Sequence, residues 1–390
     1  MDKQALLSNA GYQQPDGPMI PDPSTAASSE DPQDEEFPSA PPADMLDDVV
    51  GYEGTIAGGG EGRFVPPPAS IAEEARNDVP HPQRAWSIPS ITEETAREAF
   101  IQFASSKCCY SSSPAKEMDF RDLRPYNTYR YRLESFTESR STEWTTVPYK
   151  GQFVDGSAYG VPPLPWNIIV KMPPVFQDHT MNIPVPHTSS MKGCHACMAM
   201  GRRACTKCTA TGKVKCWVCH GRGFRFTDDR CNHCNGIGLQ CCDSCAGCGT
   251  KPCGMCKQSG QLLVYIQLTI KWKNYISEQV ADQQSGLPVD CYSKVTGQNV
   301  CTDEQVRVYP IIGFPDSQVD QASQRAIQEH QVQLASTSRI IQQRQTIEFI
   351  PVTQVYYEWK GKEYNYFAYG AENKVYAPDY PAKCCCCTIL

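Results

Sequence analysis

Cys216-Trp217-Val218-Cys219-His220-Gly221-Arg222-Gly223 is followed fifteen residues later by Cys231-Asn232-His233-Cys234-Asn235-Gly236-Ile237-Gly238. Two thiolates three residues apart chelate one ion from a tight knuckle, and two knuckles complete a tetrahedral four-cysteine site. Outward from these two units lie four more pairs: Cys205/Cys208 and Cys194/Cys197 before, Cys242/Cys245 and Cys253/Cys256 after. First cysteines of successive units are 11, 11, 15, 11 and 11 residues apart. Equal gaps suit separate beads. A palindrome with a longer central gap suits a hairpin whose tip is Arg222 to Arg230, carrying Phe224 and Phe226. Folding back groups Cys216, Cys219, Cys231 and Cys234 innermost. Cys205, Cys208, Cys242 and Cys245 come next, and Cys194, Cys197, Cys253 and Cys256 are outermost.

Apolar residues are scarce across this stretch, so no hydrophobic core holds it. Metal binding would supply its folding energy, about 10 kcal/mol or more per structural site. Twelve thiolates predict about three zinc ions per chain. Glycines follow the pairs, and each unit keeps the last of them (Gly201, Gly212, Gly223, Gly238, Gly249 and Gly260). Glycine permits the positive φ that turns a backbone N–H back toward sulfur. With full thiolate sets, His195, His220 and His233 read as bystanders. Cys241 and Cys248 read as unligated, although either could swap into a site.

The chain has 390 residues and 22 cysteines, fourteen of them between Cys194 and Cys256. That clustering differs from a secreted disulfide framework, and CxxC pairs in a reducing compartment point to metal. The start, Met1 to Ala10, is polar and carries no apolar leader. No apolar run is long enough to span a bilayer. The expected location is cytoplasmic, with the nucleus left open.

Residues 1–85 hold sixteen acidic against four basic residues and thirteen of the 31 prolines. Low hydropathy with one-sided charge predicts a disordered acidic tail. Within it, Met45 to Tyr52 mixes acids with apolar residues, either as ordinary tail or as a short docking segment. Order is expected from Trp86. Ser90 and Glu93 have capping-box spacing, and Ala96, Ala99, Phe100 and Phe103 form a helical stripe. Tyr126–Phe136 alternates as a strand, a second is expected near Trp144–Tyr149, and a third at Trp166–Met172. After the array, Leu262, Val264, Ile266, Leu268, Ile270 and Trp272 share one face of a long strand. Residues 274–313 read as irregular. A helix is expected from Asp316 to Thr337, with His330 packed rather than ligating. A hairpin over Thr346–Tyr357 and Tyr364–Tyr369 turns at Gly361. The predicted class is α+β. A mostly antiparallel β domain (86–190 and 261–380, the latter with one helix) flanks an extended zinc-stapled hairpin array (191–260), and 381–390 forms a cysteine-rich tail.

The units Cys216–Gly223 and Cys231–Gly238 resemble the CxxCxGxG repeat of the cysteine-rich domain of DnaJ chaperones. That domain has four repeats and two nested zinc sites, whereas this chain has six units. The whole layout, including Tyr376-Ala377-Pro378-Asp379-Tyr380, resembles the Ssu-two homolog family, for which no enzymatic activity is implied. In DnaJ proteins the zinc hairpin projects from a β domain that binds unfolded chains. The resemblance therefore implies chaperone-like or adaptor binding of other proteins, including non-native ones. A J domain is absent: the nearest approach to its His-Pro-Asp triplet is His81-Pro82-Gln83.

Lys383 is followed by Cys384, Cys385, Cys386 and Cys387, then Thr388-Ile389-Leu390. Cys387-Thr388-Ile389-Leu390 fits a prenylation box. One lipid binds weakly and stable anchoring takes two signals, so Cys384, Cys385 and Cys386 are candidate acylation sites. An accidental cysteine run or a further metal ligand set are the other readings. The sequence leaves two other functions open. A thiol–disulfide oxidoreductase would need an unchelated, activated CxxC. A nucleic-acid-binding zinc protein would need a basic surface. The array has eleven Lys/Arg against three acidic residues over 190–260, but twelve thiolates with three dications offset most of that charge. No catalytic constellation is legible, so a non-enzymatic binding protein is expected.

Overall fold

The computed structural model describes residues 41–58, 62–68, 91–225, 229–282 and 285–383. All belong to the unit Ser39–Leu390. Its spine is one antiparallel system of three long strands. The central strand Asp119–Pro148 pairs along one edge with the exit strand Gln261–Asp282, which leaves the array. Along its other edge it pairs with the return strand Arg339–Trp359 from Asp119 to Glu138. Lys362–Tyr369 and Lys374–Tyr376 extend the sheet beyond the return strand, and His179–Pro184 extends it beyond the exit strand.

The sequence suggested two strands where the central strand is continuous. Thr137 to Glu143 is polar, which hides the alternation. The polar residues are buried because they pair. Arg140 Nε donates to Glu138 at 2.6 Å, and Arg339 Nη2 donates to the other oxygen of Glu138 at 2.7 Å. Both guanidinium groups face the Trp166 ring, at 4.9 and 5.4 Å from its centroid. This also explains why Trp166–Met172 is not a strand. Pro165–Asn167 is a 3-10 turn that delivers Trp166 to the two arginines, and Trp166 Nε1 donates to the Val65 carbonyl at 3.2 Å. Ile169 beyond it is 95% exposed. The strand that enters the array is Ser190–Gly193 instead.

Tyr129, Tyr131 and Leu133 of the central strand pack with Val319, Ala322 and Ala326 of the helix Ser317–Leu334. Asp316 caps that helix by accepting from the Gln318 N–H at 2.9 Å, and the helix ends three residues short of the expected Thr337. His330 is buried and its Nδ1 lies 2.8 Å from Ser135 Oγ, so it is packed. A second helix, Glu93–Ser105, buries Ala96, Phe100 and Ala104 against Tyr357 and Tyr366. Its N-cap is Thr92, which accepts from the Thr95 N–H, rather than Ser90, which lies outside the described residues.

The stretch 274–313 is more regular than its composition implied. The exit strand runs on to Asp282, a short helix covers Val289–Tyr292, and Gln298–Gln305 pairs with the return strand. The hairpin between Trp359 and Lys362 turns on Lys360 and Gly361, both at positive φ as a tight two-residue loop requires.

Composition placed residues 41–58 and 62–68 in the tail, and the structure corrects this. Leu46, Val49, Tyr52 and Ala57 pack into the cluster holding Phe136, Trp144, Val264 and Ile266. Ile56–Ala57 runs parallel to Glu143–Trp144, and Arg63–Val65 runs antiparallel to Arg140–Thr142. These short strands fill the edge that the return strand vacates beyond Glu138. Met45–Tyr52 is therefore part of the folded body, packed on the chain's own sheet. Residues 1–40 lie outside the described residues. Among the described residues, no helix is long and apolar enough to cross a membrane.

Candidate metal centre

The array is a hairpin continued from the sheet. Ser190–Gly193 pairs with the start of the exit strand, and the Cys194 N–H donates to the Gly260 carbonyl at 2.8 Å. Moving away from the sheet, cages and short ladders alternate. Arg202–Ala204 pairs with Thr250–Pro252, and Lys213–Lys215 pairs with Leu239–Cys241. A single bridge, Phe224 to Arg230, precedes the tip. Phe226 of the tip lies outside the described residues.

The structure brings the twelve CxxC cysteines together as three groups of four, each group with its sulfurs within 4.8 Å of one another. The groups are Cys194, Cys197, Cys253 and Cys256; Cys205, Cys208, Cys242 and Cys245; and Cys216, Cys219, Cys231 and Cys234. All twelve are buried. Across the hairpin, sulfurs approach to 3.8 Å (Cys194–Cys253), 3.7 Å (Cys208–Cys245) and 4.0 Å (Cys216–Cys231). Four thiolates about 2.3 Å from a central ion stand about 3.8 Å apart at tetrahedral angles. A disulfide needs about 2 Å. The cages thus have the dimensions of tetrahedral metal sites, and Cys241 and Cys248, both exposed, stand outside them.

Each cage is wired by its backbone. The last glycine of every unit donates its N–H to the second cysteine of that unit, from Gly201 to Cys197 Sγ at 3.2 Å through Gly260 to Cys256 Sγ at 3.3 Å. The same glycine touches the opposite strand. A Cβ on Gly212 would sit 2.2 Å from the Gly247 carbonyl oxygen. The first glycine of the motif has more room, and Ala199, Ala210 and Gln258 replace it at φ of 60°, 66° and 74°.

The thiols also split electrically. Burial pushes Cys194 up to about 12 and Cys242 up to about 11. Backbone N–H donation, foremost from Cys234, draws Cys231 down to about 6. Four thiols sharing one cage cannot all ionise without a cation among them. A divalent ion would therefore bind with release of protons. The imidazoles do not enter the cages. His233 Nε2 lies 3.0 Å from Gln240 Oε1 and its ring meets Trp217 edge-on, while His195 Nδ1 is buried without a hydrogen-bond partner.

Sequence reasoning missed the root contact, where Lys192 donates to Asp47 at 2.7 Å. It also missed Cys108 and Cys109, which directly precede Tyr110, the partner of Lys383 in an isolated bridge. Cys384, Cys385, Cys386 and Cys387 lie outside the described residues.

No family model and no solved structure matches this chain. Curated relatives do. The protein SSUH2 homolog of Danio rerio is 56% identical over 348 residues, 89% of this chain and 96% of its own. That of Homo sapiens is 46% identical over 363 residues, covering 91% and 95%. That of Mus musculus is 42% identical over 316 residues, covering 79% and 91%. Identity at this level over nearly whole chains settles the affiliation that the layout implied: the chain belongs to the Ssu-two (SSUH2) homolog family.

Proposed function

We propose that this protein is a non-enzymatic zinc protein whose array presents apolar side chains to exposed apolar segments of other proteins, in the manner of a chaperone or an adaptor. Zinc suits cages of four thiolates with tetrahedral spacing, because it is d10, redox-inert and content with four sulfurs. The observation that carries the binding reading is exposed apolar surface on the inner third of the array. Trp217 is 67% exposed, Ile237 67%, Phe224 49% and Leu239 41%. Side chains of this kind are the usual anchors of protein interfaces. A metal-stapled hairpin without an apolar core can keep them in water because they contribute little to its own folding.

The thiol–disulfide reading has less support, since each of the six regular CxxC pairs of the array shares a buried four-sulfur cage. The nucleic-acid reading is left with only a small net positive charge on the array once thiolate charge is counted. The cytoplasm is the proposed location, with membrane attachment through lipid on the carboxyl-terminal cysteines.

The test is suppression of aggregation of a model unfolded protein by zinc-loaded full chain without ATP. Trp217→Ser with Ile237→Ser should reduce suppression several-fold while zinc content stays near three per chain. Unchanged suppression in the double variant overturns the role of the array surface. No suppression by the wild-type chain overturns general chaperone-like binding.

A further inference from the structure

The six units of the array repeat one design, so each position can be compared with its counterparts. The residue after the last glycine is Arg202, Lys213, Phe224, Leu239, Thr250 and Gln261 in turn, and the residue before the first cysteine is Gly193, Ala204, Lys215, Arg230, Cys241 and Pro252. The first position is apolar in the two inner units alone, and the second is a cation in the same two units alone. The backbone sets the two positions opposite each other. Leu239 pairs with Lys215 in the inner ladder, and Phe224 pairs with Arg230 in the bridge before the tip. Residues directly opposite in an antiparallel pair share a face. The inner cage is therefore bracketed by two couples, each of one apolar side chain and one cation.

The hairpin does not need these couples to fold. At the same positions the other ladders close with Lys213 opposite Cys241, Ala204 opposite Thr250 and Arg202 opposite Pro252. All four side chains of the couples, Phe224, Leu239, Lys215 and Arg230, are exposed. The stems of the two cations lie over the first glycine of their own units. A Cβ on Gly221 would stand 3.5 Å from Lys215 Cδ, and one on Gly236 3.6 Å from Arg230 Cδ. Such packing restrains the stems and leaves the charged heads in water. Charge is also balanced differently from cage to cage. In the middle cage Lys207 and Asp243, the third and second residues of facing units, form an ion pair at 2.6 Å. The inner cage has His233 and Trp217 at those two places, in ring contact at 5.4 Å. The carboxylate that neutralises a cation in the middle cage thus has no counterpart at that place in the inner one.

We propose that the inner cage recognises short segments in which a large apolar side chain lies beside a carboxylate, so that the preferred clients of this protein are acidic amphipathic segments. The inference rests on the reading of the array as a protein-binding surface and adds the charge of the client to it. The apolar side chain covers Phe224 or Leu239, and the neighbouring carboxylate pairs with Arg230 or Lys215. A guanidinium can hold both carboxylate oxygens at once. A continuous polyanion fits less well. Four thiolates around one divalent ion give the cage between the couples a charge of about −2. That charge offsets the long-range field of the two cations and leaves short-range pairing. Leu239 also offers no ring on which a base could stack.

The experiment is fluorescence anisotropy with the zinc-loaded full chain and three labelled peptides. They share one core of Leu and Phe and differ only in flanks of Asp and Glu, of Ser, or of Lys and Arg. A single-stranded oligonucleotide is the fourth probe. The acidic peptide should bind several-fold tighter than the serine one and about tenfold tighter than the basic one at low salt, with the margin shrinking as salt is raised. K215E/R230E should invert the order of the acidic and basic peptides while zinc stays near three per chain, an outcome that loss of structure cannot produce. A preference for the acidic peptide that survives in K215Q/R230Q overturns the role of the two cations. Phe224→Ser with Leu239→Ser should weaken all three peptides alike. Equal binding of the three peptides by the wild-type chain overturns this inference and leaves apolar binding standing. No binding of any peptide overturns the protein-binding reading as well. Oligonucleotide binding that is tighter than that of the acidic peptide and lost in K215E/R230E overturns the inference in favour of nucleic acid.

Discussion

Gly223→Ala and Gly221→Ala are neighbouring changes in one unit with different predicted outcomes. Both residues have positive φ, 82° and 89°. Alanine in that region carries about 1–2 kcal/mol of strain at either position. At Gly221 little else happens. The added Cβ meets the flexible Lys215 side chain at 3.5 Å, and alanine already occupies the matching positions 199 and 210. At Gly223 the Cβ would sit 2.5 Å from the Gly236 carbonyl oxygen, so the two strands must part. Parting also breaks the 3.3 Å bond from the Gly223 N–H to Cys219 Sγ. A hydrogen bond to a charged acceptor contributes about 1.5–3 kcal/mol, and each 1.4 kcal/mol is tenfold in affinity. Gly223→Ala should therefore weaken the innermost site roughly 10- to 150-fold more than Gly221→Ala does. Alkylation of Cys216, Cys219, Cys231 and Cys234 across a chelator titration, read by mass spectrometry, measures the difference. Equal protection in the two variants would refute the argument that close strand approach and the N–H to sulfur bond fix this glycine.

Replacing Cys216 and Cys219 with serine should expose Cys231 and Cys234 to alkylation and leave Cys205 and Cys208 protected; labelling at Cys205 and Cys208 would mean that neighbouring units pair. Burial holds His330 below its ordinary value of 6.5, so the unfolded chain takes up the proton first. Stability should fall as pH drops through 6.5 toward the folded value, and His330→Gln should flatten that loss by up to about 1.4 kcal/mol per pH unit. Denaturant midpoints at pH 7.5 and 5.5 provide the check, and an unchanged slope removes His330 from the account. Glu138→Gln leaves Arg140, 4% exposed, without its buried carboxylate; equilibrium unfolding should show a loss of about 3–5 kcal/mol, and a loss below 1 kcal/mol would show that solvent reaches the pair.

The cage groupings were legible because cysteine spacing is discrete. An 11, 11, 15, 11, 11 pattern leaves few ways to fold back. The exit strand was legible because its alternation from Leu262 to Trp272 is unbroken. The central strand read as two because Glu138 and Arg140 look solvated in sequence, yet they neutralise each other inside the sheet. Trp166–Met172 read as a strand because its apolar residues belong to a core, but a 3-10 turn and exposed Ile169 show that they reach it without a ladder. The stretches 41–58 and 62–68 failed for the opposite reason. Their composition resembles a solvated tail, and only the tertiary edge beyond Glu138 gives Tyr52, Ile56–Ala57 and Arg63–Val65 something to pair with. Such an edge has no signature in local sequence.

The array and the sheet depend on different forces and meet at one place. From Val264 to Trp272 the exit strand buries its apolar face in a cluster of aromatic and aliphatic side chains that needs no metal. From Gly193 outward, the chain has cages in place of a core. The outer cage has Leu262, Ala196 and Met255 packed on it, whereas the middle cage has Val214 and the inner one Val218. The ion pair of Lys192 with Asp47 ties the docked segment to the same root. Support thus declines from root to tip, so metal should leave the inner cage first and the outer cage last. Residue-resolved hydrogen exchange during chelation would show that order as opening from residues 216–238 toward Gly193, with the exit strand beyond Val264 still protected. Opening that began at the root would mean that the sheet does not support the array and that the cages stand as independent units.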